Sequence, residues 1–240
     1  MNKLNDPKVI VALDFSEYQD VTELVNQLSP SLCRLKVGKE LFTKFGPQIV
    51  IDLQNEGFEV FLDLKFHDIP TTVARACEAA ADLGVWMLNV HVMGGRRMLE
   101  AAQKALANRN NKPYLIGVTL LTSFDQNDMS EIGITGSVTS RVEQLAALAL
   151  EVGLDGVVCS AQEAAVLRKM GSNDFLLVTP GIRPHGELQN DQKRVVTPQV
   201  ALANGASYLV IGRPITQAHD PLQMLQRIHS EIPTRTVSGS

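Results

Sequence analysis

The feature that most constrains the fold is a regular alternation of two patterns along the chain. Short apolar runs rich in β-branched residues recur eight times, and each precedes a stretch with helical period. Because parallel strands need a long crossover connection, usually a helix, this order predicts parallel strands joined by helices. The predicted strands are Lys8–Leu13, Cys33–Val37, Glu59–Leu64, Trp86–Val92, Tyr114–Thr119, Gly156–Cys159, Phe175–Thr179 and Tyr208–Ile211. The predicted helices are Val21–Leu28, Pro47–Glu56, Val73–Leu83, Met93–Ala107, Ser137–Val152, Ala161–Met170, Pro198–Asn204 and Leu222–Ile232.

The number of units favours a (β/α)8 TIM barrel of the α/β class. The strands are apolar throughout rather than alternating, as expected when both faces are covered. Glycines follow several helices, and Thr197-Pro198 offers an N-cap before a first-turn proline. A doubly wound open sheet is the alternative, but eight βα units in about 230 residues match the barrel in number and size.

The length of 240 residues suits one domain. We find no linker, low-complexity tract or internal repeat, and we predict a single barrel over residues 1–232. Residues 233–240 have no apolar pattern, which predicts a mobile tail. The three widely separated cysteines lie in apolar stretches, so we expect buried, inert thiols rather than disulfides.

Net charge and hydropathy limit the binding partners and the cellular location that the sequence allows. Lysine and arginine number 22 against 26 acidic residues, a net charge of −4, which argues against a general nucleic-acid binder. No apolar run is long enough to cross a membrane, and Met1–Pro7 is polar rather than signal-like. We therefore predict a cytoplasmic protein that binds neither nucleic acid nor membranes, and any anionic ligand must meet a local cluster of cations.

Polar residues gather where the predicted strands end. In a TIM barrel the active site lies at the C-terminal ends of the strands, so these residues are the candidates for chemistry. They are Asp14, Lys36, Asp63–Asp68, Thr119, Thr122, Ser123, Gly181–Arg183, Gly212 and Arg213.

The segment Asp63–Asp68 carries the strongest chemical signal. Asp63 and Lys65 are two residues apart on a strand, so their side chains should share a face, and Lys36 on the neighbouring strand can meet them. Alternating lysines and aspartates can stay ionised in a partly dry pocket, and nearby carboxylates would hold Lys65 protonated as a proton donor. Alone, D-x-K-x-x-D would equally fit a solvated charge run; Lys36 and the strand-end position favour a site.

A phosphate site is the second prediction. Loops after the last two strands of a TIM barrel, with a short helix N-terminus, commonly hold phosphate, and here they contain Gly181-Ile182-Arg183 and Gly212-Arg213. The glycines could also serve only as turn residues. The polar stretch Pro184–Lys193, which includes Gln192, is long enough to act as a lid.

Other motifs carry less. We expect His67 to have a structural role rather than to act as a base. His91 could lie either in the wall of the site or in the core, and His185 and His219 should face solvent. Nucleotide-binding and zinc-hydrolase motifs are absent from the sequence, so we predict neither a metal nor a cofactor.

Several of these candidate residues lie in five longer sequence motifs, which are spread over nearly the whole chain. The motifs are Val11–Asp14, Lys36–Gly38, Asp63–Thr72, Thr179–Arg183 and Val210–Ile215. Together they resemble the orotidine 5'-phosphate decarboxylase family of the bacterial type, and the D-L-K-F-H-D-I-P run is highly specific. The resemblance implies cofactor-independent decarboxylation of orotidine 5'-monophosphate to UMP, the last step of de novo pyrimidine synthesis. No catalytic position departs from the family pattern, whereas the lid aligns only at Gln192.

The resemblance also implies roles for individual residues. Lys65 would protonate carbon 6 of the pyrimidine, Asp63 would lie beside the substrate carboxylate, and Lys36 would complete the charge array. Asp68 would reach into the partner's site in a homodimer. The implied substrate contacts are Asp14, Lys36 and Thr72 at the ribose, Thr122 and Ser123 at the pyrimidine, and Arg183, Gln192, Gly212 and Arg213 at the phosphate and lid.

Two other functions fit parts of the pattern. A sugar-phosphate lyase or aldolase on the same D-x-K-x-x-D barrel would use magnesium held by acidic residues, but Lys36 replaces the carboxylate that such an enzyme needs on strand two. A non-catalytic phosphate- or nucleotide-binding barrel would bind UMP without turnover. The complete set of Lys36, Asp63, Lys65 and Asp68 favours the decarboxylase.

Overall fold

A computed structural model describes residues 6–184 and 196–232 of the chain. Within these ranges, eight parallel strands pair in chain order and close on themselves, which confirms the predicted TIM barrel. The strands are β1 (Val9–Leu13), β2 (Cys33–Gly38), β3 (Val60–Phe66), β4 (Met87–His91), β5 (Tyr114–Val118), β6 (Gly156–Val158), β7 (Leu176–Thr179) and β8 (Tyr208–Ile211). The helices are α1 (Tyr18–Val25), α2 (Lys39–Phe45), α3 (Gln48–Asn55), α4 (Pro70–Asp82), α5 (Arg96–Leu106), α6 (Gln126–Glu131), α7 (Val138–Val152), α8 (Ala161–Leu167), α9 (Pro198–Ala203), α10 (Arg213–Thr216) and α11 (Pro221–Glu231).

Strand positions match the prediction closely, and the helices differ more. Three short helices, α2, α6 and α10, were not predicted, because one or two turns give only a weak periodic signal. Helix α9 is equally short, but its Thr197-Pro198 start was recognised in the sequence. The predicted helix Met93–Ala107 is wrong at its start: a 3-10 turn at Val92–Gly94 precedes α5. Gly95 lies between them with a φ of 81°, a left-handed conformation that interrupts the helix.

The apolar strands pack two separate layers. Ile10, Phe61, Met87, Ile116 and Val178 fill the barrel interior, together with Tyr208. The alternate residues along each strand, such as Val9 and Val11 on β1, pack outward against the helices. Most strands are therefore covered on both faces by apolar side chains, which explains their apolar sequences. The inner face of β2 is an exception, because Arg34 and Lys36 lie beside Ile10 and Ala12 of β1.

Helix ends and cysteines agree with the sequence. Gly84, Gly153 and Gly205 follow helices with left-handed φ angles of 75°, 84° and 97°, and Thr197 caps α9 by accepting a hydrogen bond from the Val200 amide at 3.3 Å. The three cysteines are buried, and burial raises the pKa of each thiol to about 12. They are packing groups, since the reactive thiolate is disfavoured at neutral pH.

Aromatic residues and one arginine close the N-terminal end of the barrel. The Arg34 guanidinium stacks 4.0 Å from the ring centroid of Trp86 and 5.2 Å from that of Tyr208. The same group donates hydrogen bonds to Glu59 at 2.7 Å and to Asp6 at 2.9 Å. A buried charge here is paired and stacked, so this end is built for packing.

In the two ranges described, none of the helices combines the length and the apolar character that crossing a bilayer requires.

Candidate active site

Four of the predicted residues form a chain of alternating charges at the C-terminal end of the barrel. Lys36 Nζ lies 3.2 Å from an oxygen of Asp14 and 3.5 Å from one of Asp63, and Lys65 Nζ lies 2.6 Å from the other Asp63 oxygen. The exposed fraction of the side chain falls from 69% at Asp14 to 11% at Lys36 and 12% at Asp63, and is 25% at Lys65. The predicted cluster is therefore assembled, with the Asp63 carboxylate nearly buried and the Lys65 ammonium more accessible.

The backbone of β3 departs from a regular strand at these residues. Leu62 pairs with Leu88 of β4, and Phe66 pairs with Val90. Residues 63–65, which we call the β3 bulge, therefore stand opposite a single residue of β4. Bulges re-aim side chains and are frequent beside active sites.

Within the β3 bulge, Lys65 has a φ of 53°. A left-handed conformation at a residue with a Cβ costs roughly 1 to 2 kcal/mol. The sequence argument, that residues two apart on a strand share a face, predicted the contact between Asp63 and Lys65 correctly, but its reason was incomplete. The pleat alone does not set the direction of the Lys65 side chain; the bulge and the strained backbone also do. Strain of this kind persists only where the surroundings hold it.

Asn89 was not predicted as a site residue, yet it touches two of the residues that were. It is fully buried on β4, opposite the β3 bulge. Its side-chain nitrogen donates a hydrogen bond to Asp63 at 2.7 Å, and its side-chain oxygen accepts one from the Lys65 amide at 2.8 Å. An amide inside the apolar run Met87–His91 was the available signal, because a polar group inside a strand needs a partner.

Asp68 lies apart from the charge chain. It is exposed just after β3, and one of its oxygens accepts a hydrogen bond from the Ile69 amide at 2.6 Å. Within the described residues, Asp68 forms no ion pair with Lys36 or Lys65. It instead lines a surface hollow of about 580 Å³ whose walls include His67, Met93 and Arg97.

The predicted phosphate residues follow β7 and β8. Gly181 has a left-handed φ of 79°, and Arg183 is buried with its amide donating to the Val196 carbonyl at 3.0 Å. Gly212 and Arg213 stand where β8 ends and α10 begins, and both are partly exposed. Pro184 is described, but Gln192 and the rest of the predicted lid lie outside the described residues.

The remaining predicted contacts are exposed residues near the same end of the barrel. Thr72 lies in the first turn of α4, and Thr122 with Ser123 lies in the connection after β5. Thr119, in contrast, is buried and donates a hydrogen bond to the Val158 carbonyl at 3.1 Å, which ties β5 to β6.

Two histidines stand beside Lys65. The rings of His67 and His91 are 5.4 Å apart between centroids. Burial, together with the charges of His67, Lys39 and Lys65, lowers the pKa of His91 to about 4, and the charge of Asp63 partly opposes this shift. His91 is therefore neutral at physiological pH, and its partial burial fits either of its two predicted roles. His219 is exposed as predicted, and His185 lies outside the described residues.

Comparison with known proteins places this geometry in context. The family model "Orotidine 5'-phosphate decarboxylase / HUMPS family" matches residues 7–228. A Nitrosococcus oceani protein named orotidine 5'-phosphate decarboxylase is 60% identical over 225 residues, 94% of this chain and 97% of that protein. A Hydrogenovibrio crunogenus protein of the same name is 59% identical over 227 residues, 95% of this chain and 96% of that one. The crystal structure of orotidine 5'-phosphate decarboxylase from Lactobacillus acidophilus has a TM-score of 0.84 at 36% identity and covers 95% of this chain and 100% of its own.

Proposed function

The chain belongs to the orotidine 5'-phosphate decarboxylase / HUMPS family, and from this premise we propose that it decarboxylates orotidine 5'-monophosphate to UMP, the last step of de novo pyrimidine synthesis, with Lys65 as proton donor. The observation that carries the assignment of roles is the contact between Lys65 and Asp63 in the charge chain at the barrel rim. In this proposal the Lys65 ammonium and the Asp63 carboxylate carry the reaction, and no cofactor takes part.

The reaction breaks one carbon–carbon bond and makes one carbon–hydrogen bond. The bond between carbon 6 of the pyrimidine and the carboxylate breaks, carbon dioxide leaves, and the electron pair stays on carbon 6. The Lys65 ammonium stabilises that developing charge and transfers its proton to it. Asp63 lies beside the substrate carboxylate, and the repulsion between the two negative charges ends when neutral carbon dioxide departs.

The other predicted residues bind the parts of the substrate that do not react. Asp14, Lys36 and Thr72 contact the ribose, and Thr122 with Ser123 contacts the pyrimidine. Arg183, Gln192, Gly212 and Arg213 hold the phosphate, and the lid prediction over Pro184–Lys193 belongs to the same proposal. Binding energy gained at the phosphate organises the reacting centre, where it raises the rate.

A homodimer completes the site in this proposal. Asp68 is exposed, and it lies next to Ile69 and near Met93, whose exposed fractions are 67% and 42%. Exposed apolar side chains around a carboxylate suit an interface through which Asp68 reaches the partner's substrate. Mixing Lys65→Ala with Asp68→Ala subunits should then restore part of the activity; verified mixed dimers that stay inactive would argue against shared sites.

The decisive assay follows the absorbance of orotidine 5'-monophosphate with wild type and with Lys65→Ala. We expect turnover by the wild type and loss of several orders of magnitude in the variant, because the proton donor is gone. Equal rates in the two proteins would overturn the role of Lys65, and an inactive wild type would overturn the function.

Chelation separates the proposal from a magnesium-dependent lyase. Lys36 already pairs with Asp14 and Asp63, and its ammonium would repel a cation bound to those carboxylates. Activity should survive EDTA, and its abolition would favour the metal enzyme. UMP binding without turnover would favour the non-catalytic barrel. We also propose a cytoplasmic location, which cell fractionation would test.

A further inference from the structure

Both ends of one buried amide hold the two reacting side chains of β3. The Asn89 side-chain nitrogen donates to the Asp63 carboxylate at 2.7 Å, and its oxygen accepts from the Lys65 amide at 2.8 Å. The carboxylate oxygen that Asn89 contacts is the one that Lys65 Nζ also approaches. A single side chain therefore fixes the carboxylate and the backbone of the lysine together.

Asn89 takes the place of ladder hydrogen bonds that the β3 bulge lacks. On the β2 side, the register of β3 runs only as far as Asp63, which pairs with the last residue of β2, Gly38. On the β4 side, the backbone register resumes only at Phe66. Between these points the Lys65 amide would lack a strand partner, and the Asn89 side chain supplies one.

We propose that Asn89 is a positioning residue: its amide holds the β3 bulge so that Lys65 keeps its left-handed backbone and its ammonium stays aimed at the reacting carbon beside Asp63. This inference rests on the proposed decarboxylation and adds a residue that acts through Lys65 and Asp63. A strained conformation relaxes when its restraint is removed, so the loss of the amide should move Lys65 without touching the phosphate residues.

The first test removes both hydrogen bonds while keeping the side-chain size. Asn89→Leu should lower kcat on the order of 100-fold, the scale expected when a catalytic group is misplaced by about 1 Å. KM should change by less than about threefold, because phosphate and ribose contacts are intact. A kcat within about twofold of wild type, or a change confined to KM, would overturn the proposal.

The second test is a pH profile that a purely structural role would not produce. In Asn89→Asp the new carboxyl faces Asp63, so at neutral pH two like charges repel. Once protonated, its O–H can donate to Asp63 and its C=O can accept from the Lys65 amide, which restores the original pair. The ratio of its kcat to that of wild type should therefore rise as the pH falls, whereas the ratio for Asn89→Leu should stay flat.

The other charged and ionisable groups around the site are the same in all three proteins, so the ratios isolate the effect of position 89. They are Asp63 and Lys65 from β3, Lys36 from β2, Asp14 after β1, Lys39 from α2, His91 from β4 and His67 from the loop after β3. Parallel profiles for the Asp and Leu variants would show that the hydrogen bonds are not what Asn89 contributes.

Ser207→Ala is the matched control for lost packing and lost polar contacts. The Ser207 hydroxyl accepts a hydrogen bond from the Leu177 amide at 3.0 Å, so it also ties a side chain to a strand backbone, but at the N-terminal end of the barrel. This variant should lower the melting temperature and leave kcat unchanged. If Asn89→Leu does not fold, the nearly isosteric Asn89→Asp decides the matter through its ratio to wild type.

Hydrogen exchange gives a readout that does not depend on turnover. The Lys65 amide should exchange slowly in wild type and faster in Asn89→Leu, because its acceptor is removed. This comparison remains valid if orotidine 5'-monophosphate proves not to be the substrate, so failure of the function and failure of the positioning role are distinguishable. Unchanged protection of that amide in Asn89→Leu would count against the proposal.

Discussion

At Lys65, the requirements of stability and of chemistry conflict. Its φ of 53° suits glycine, but glycine carries no ammonium group. The Asp63 carboxylate and the Asn89 amide hold the residue in place. The strained backbone is therefore kept at the position where it sets the direction of the Lys65 ammonium, the proton donor in the proposed mechanism.

Comparing Lys65→Gly with Lys65→Ala measures this strain. Both variants lack the ammonium and should be inactive, so they differ mainly in the Cβ. We expect the glycine variant to be more stable by about 1 kcal/mol, since glycine adopts positive φ without a clash. Urea unfolding provides the free energies.

The control for this pair is Lys104 in α5, where the backbone is helical. There Lys104→Gly should be less stable than Lys104→Ala, because glycine is unfavourable in a helix. The same order at both positions would mean that Lys65 is not strained.

His91 should make the protein sensitive to acid. Burial and neighbouring cations lower its pKa to about 4 in the folded state, against an ordinary value of 6.5. Above pH 6.5 His91 is neutral in both states and its contribution to stability is complete. As the pH falls towards 4, the unfolded chain takes up a proton that folded His91 does not, so stability is lost across this window.

In His91→Asn, the melting temperature should therefore fall less between pH 6.5 and pH 4 than in wild type. His219→Asn is the control, because His219 is exposed. If both variants follow the wild-type curve, His91 does not contribute to the acid sensitivity.

Among the structural elements, segments with a strong hydrophobic pattern or a recognised cap were predictable, and short helices without either were not. The strands were found because each is a continuous apolar run buried on both faces. Helix α6 has six residues, too few to show a period, although its capping box was visible: Asp125 accepts from the Asn127 and Asp128 amides at 2.9 and 3.2 Å. The capping residues at the start of α6 would have predicted this helix, whereas its hydrophobic periodicity did not.

The cap of α9 offers a test of such local signals. Thr197 accepts a hydrogen bond from the Val200 amide, and Pro198 follows it. Thr197→Ala should cost about 1 kcal/mol in the free energy of unfolding, while Thr197→Ser, which keeps the hydroxyl, should cost much less. Equal losses in urea melts of the two variants would show that the methyl group, not the cap, matters.

For the whole molecule, the two ends of the barrel have separate tasks. The C-terminal end holds the charge chain, and the N-terminal end holds Arg34 stacked on Trp86, with only 6% of its side chain exposed. In TIM barrels the first end carries function and the second carries stability. Changes at Arg34 should therefore affect folding without affecting catalysis.

Arg34→Met should lower the free energy of unfolding by about 2 kcal/mol, because stacking and two paired hydrogen bonds are lost. The rate of decarboxylation should stay within about twofold of wild type, since the substitution leaves the reacting groups in place. Urea unfolding and the absorbance assay measure the two effects.

Arg109→Met is the matched control, because Arg109 pairs with Asp82 at the surface. It should change neither stability nor rate appreciably. A large loss of activity in Arg34→Met would mean that the two ends are coupled.

The chain by itself determined the eight-unit alternation, the buried strands and the residue types at the strand ends, because these depend on periodicity and on neighbours close in sequence. It also placed Lys36, Asp63 and Lys65 in one cluster, since the ends of parallel strands meet at one rim. A net charge of −4 is compatible with an anionic substrate because those cations are concentrated there.

Only the tertiary structure decided how the cluster is held. The β3 bulge, the left-handed Lys65 and the two hydrogen bonds of Asn89 arise from the register between β3 and β4, whose facing residues are 24 and 26 positions apart in the chain. Strand periodicity predicts which face a side chain occupies, but a bulge changes the direction through a partner on another strand. The reason is physical: the amide that satisfies a strained backbone belongs to the neighbouring strand, and folding alone brings it there.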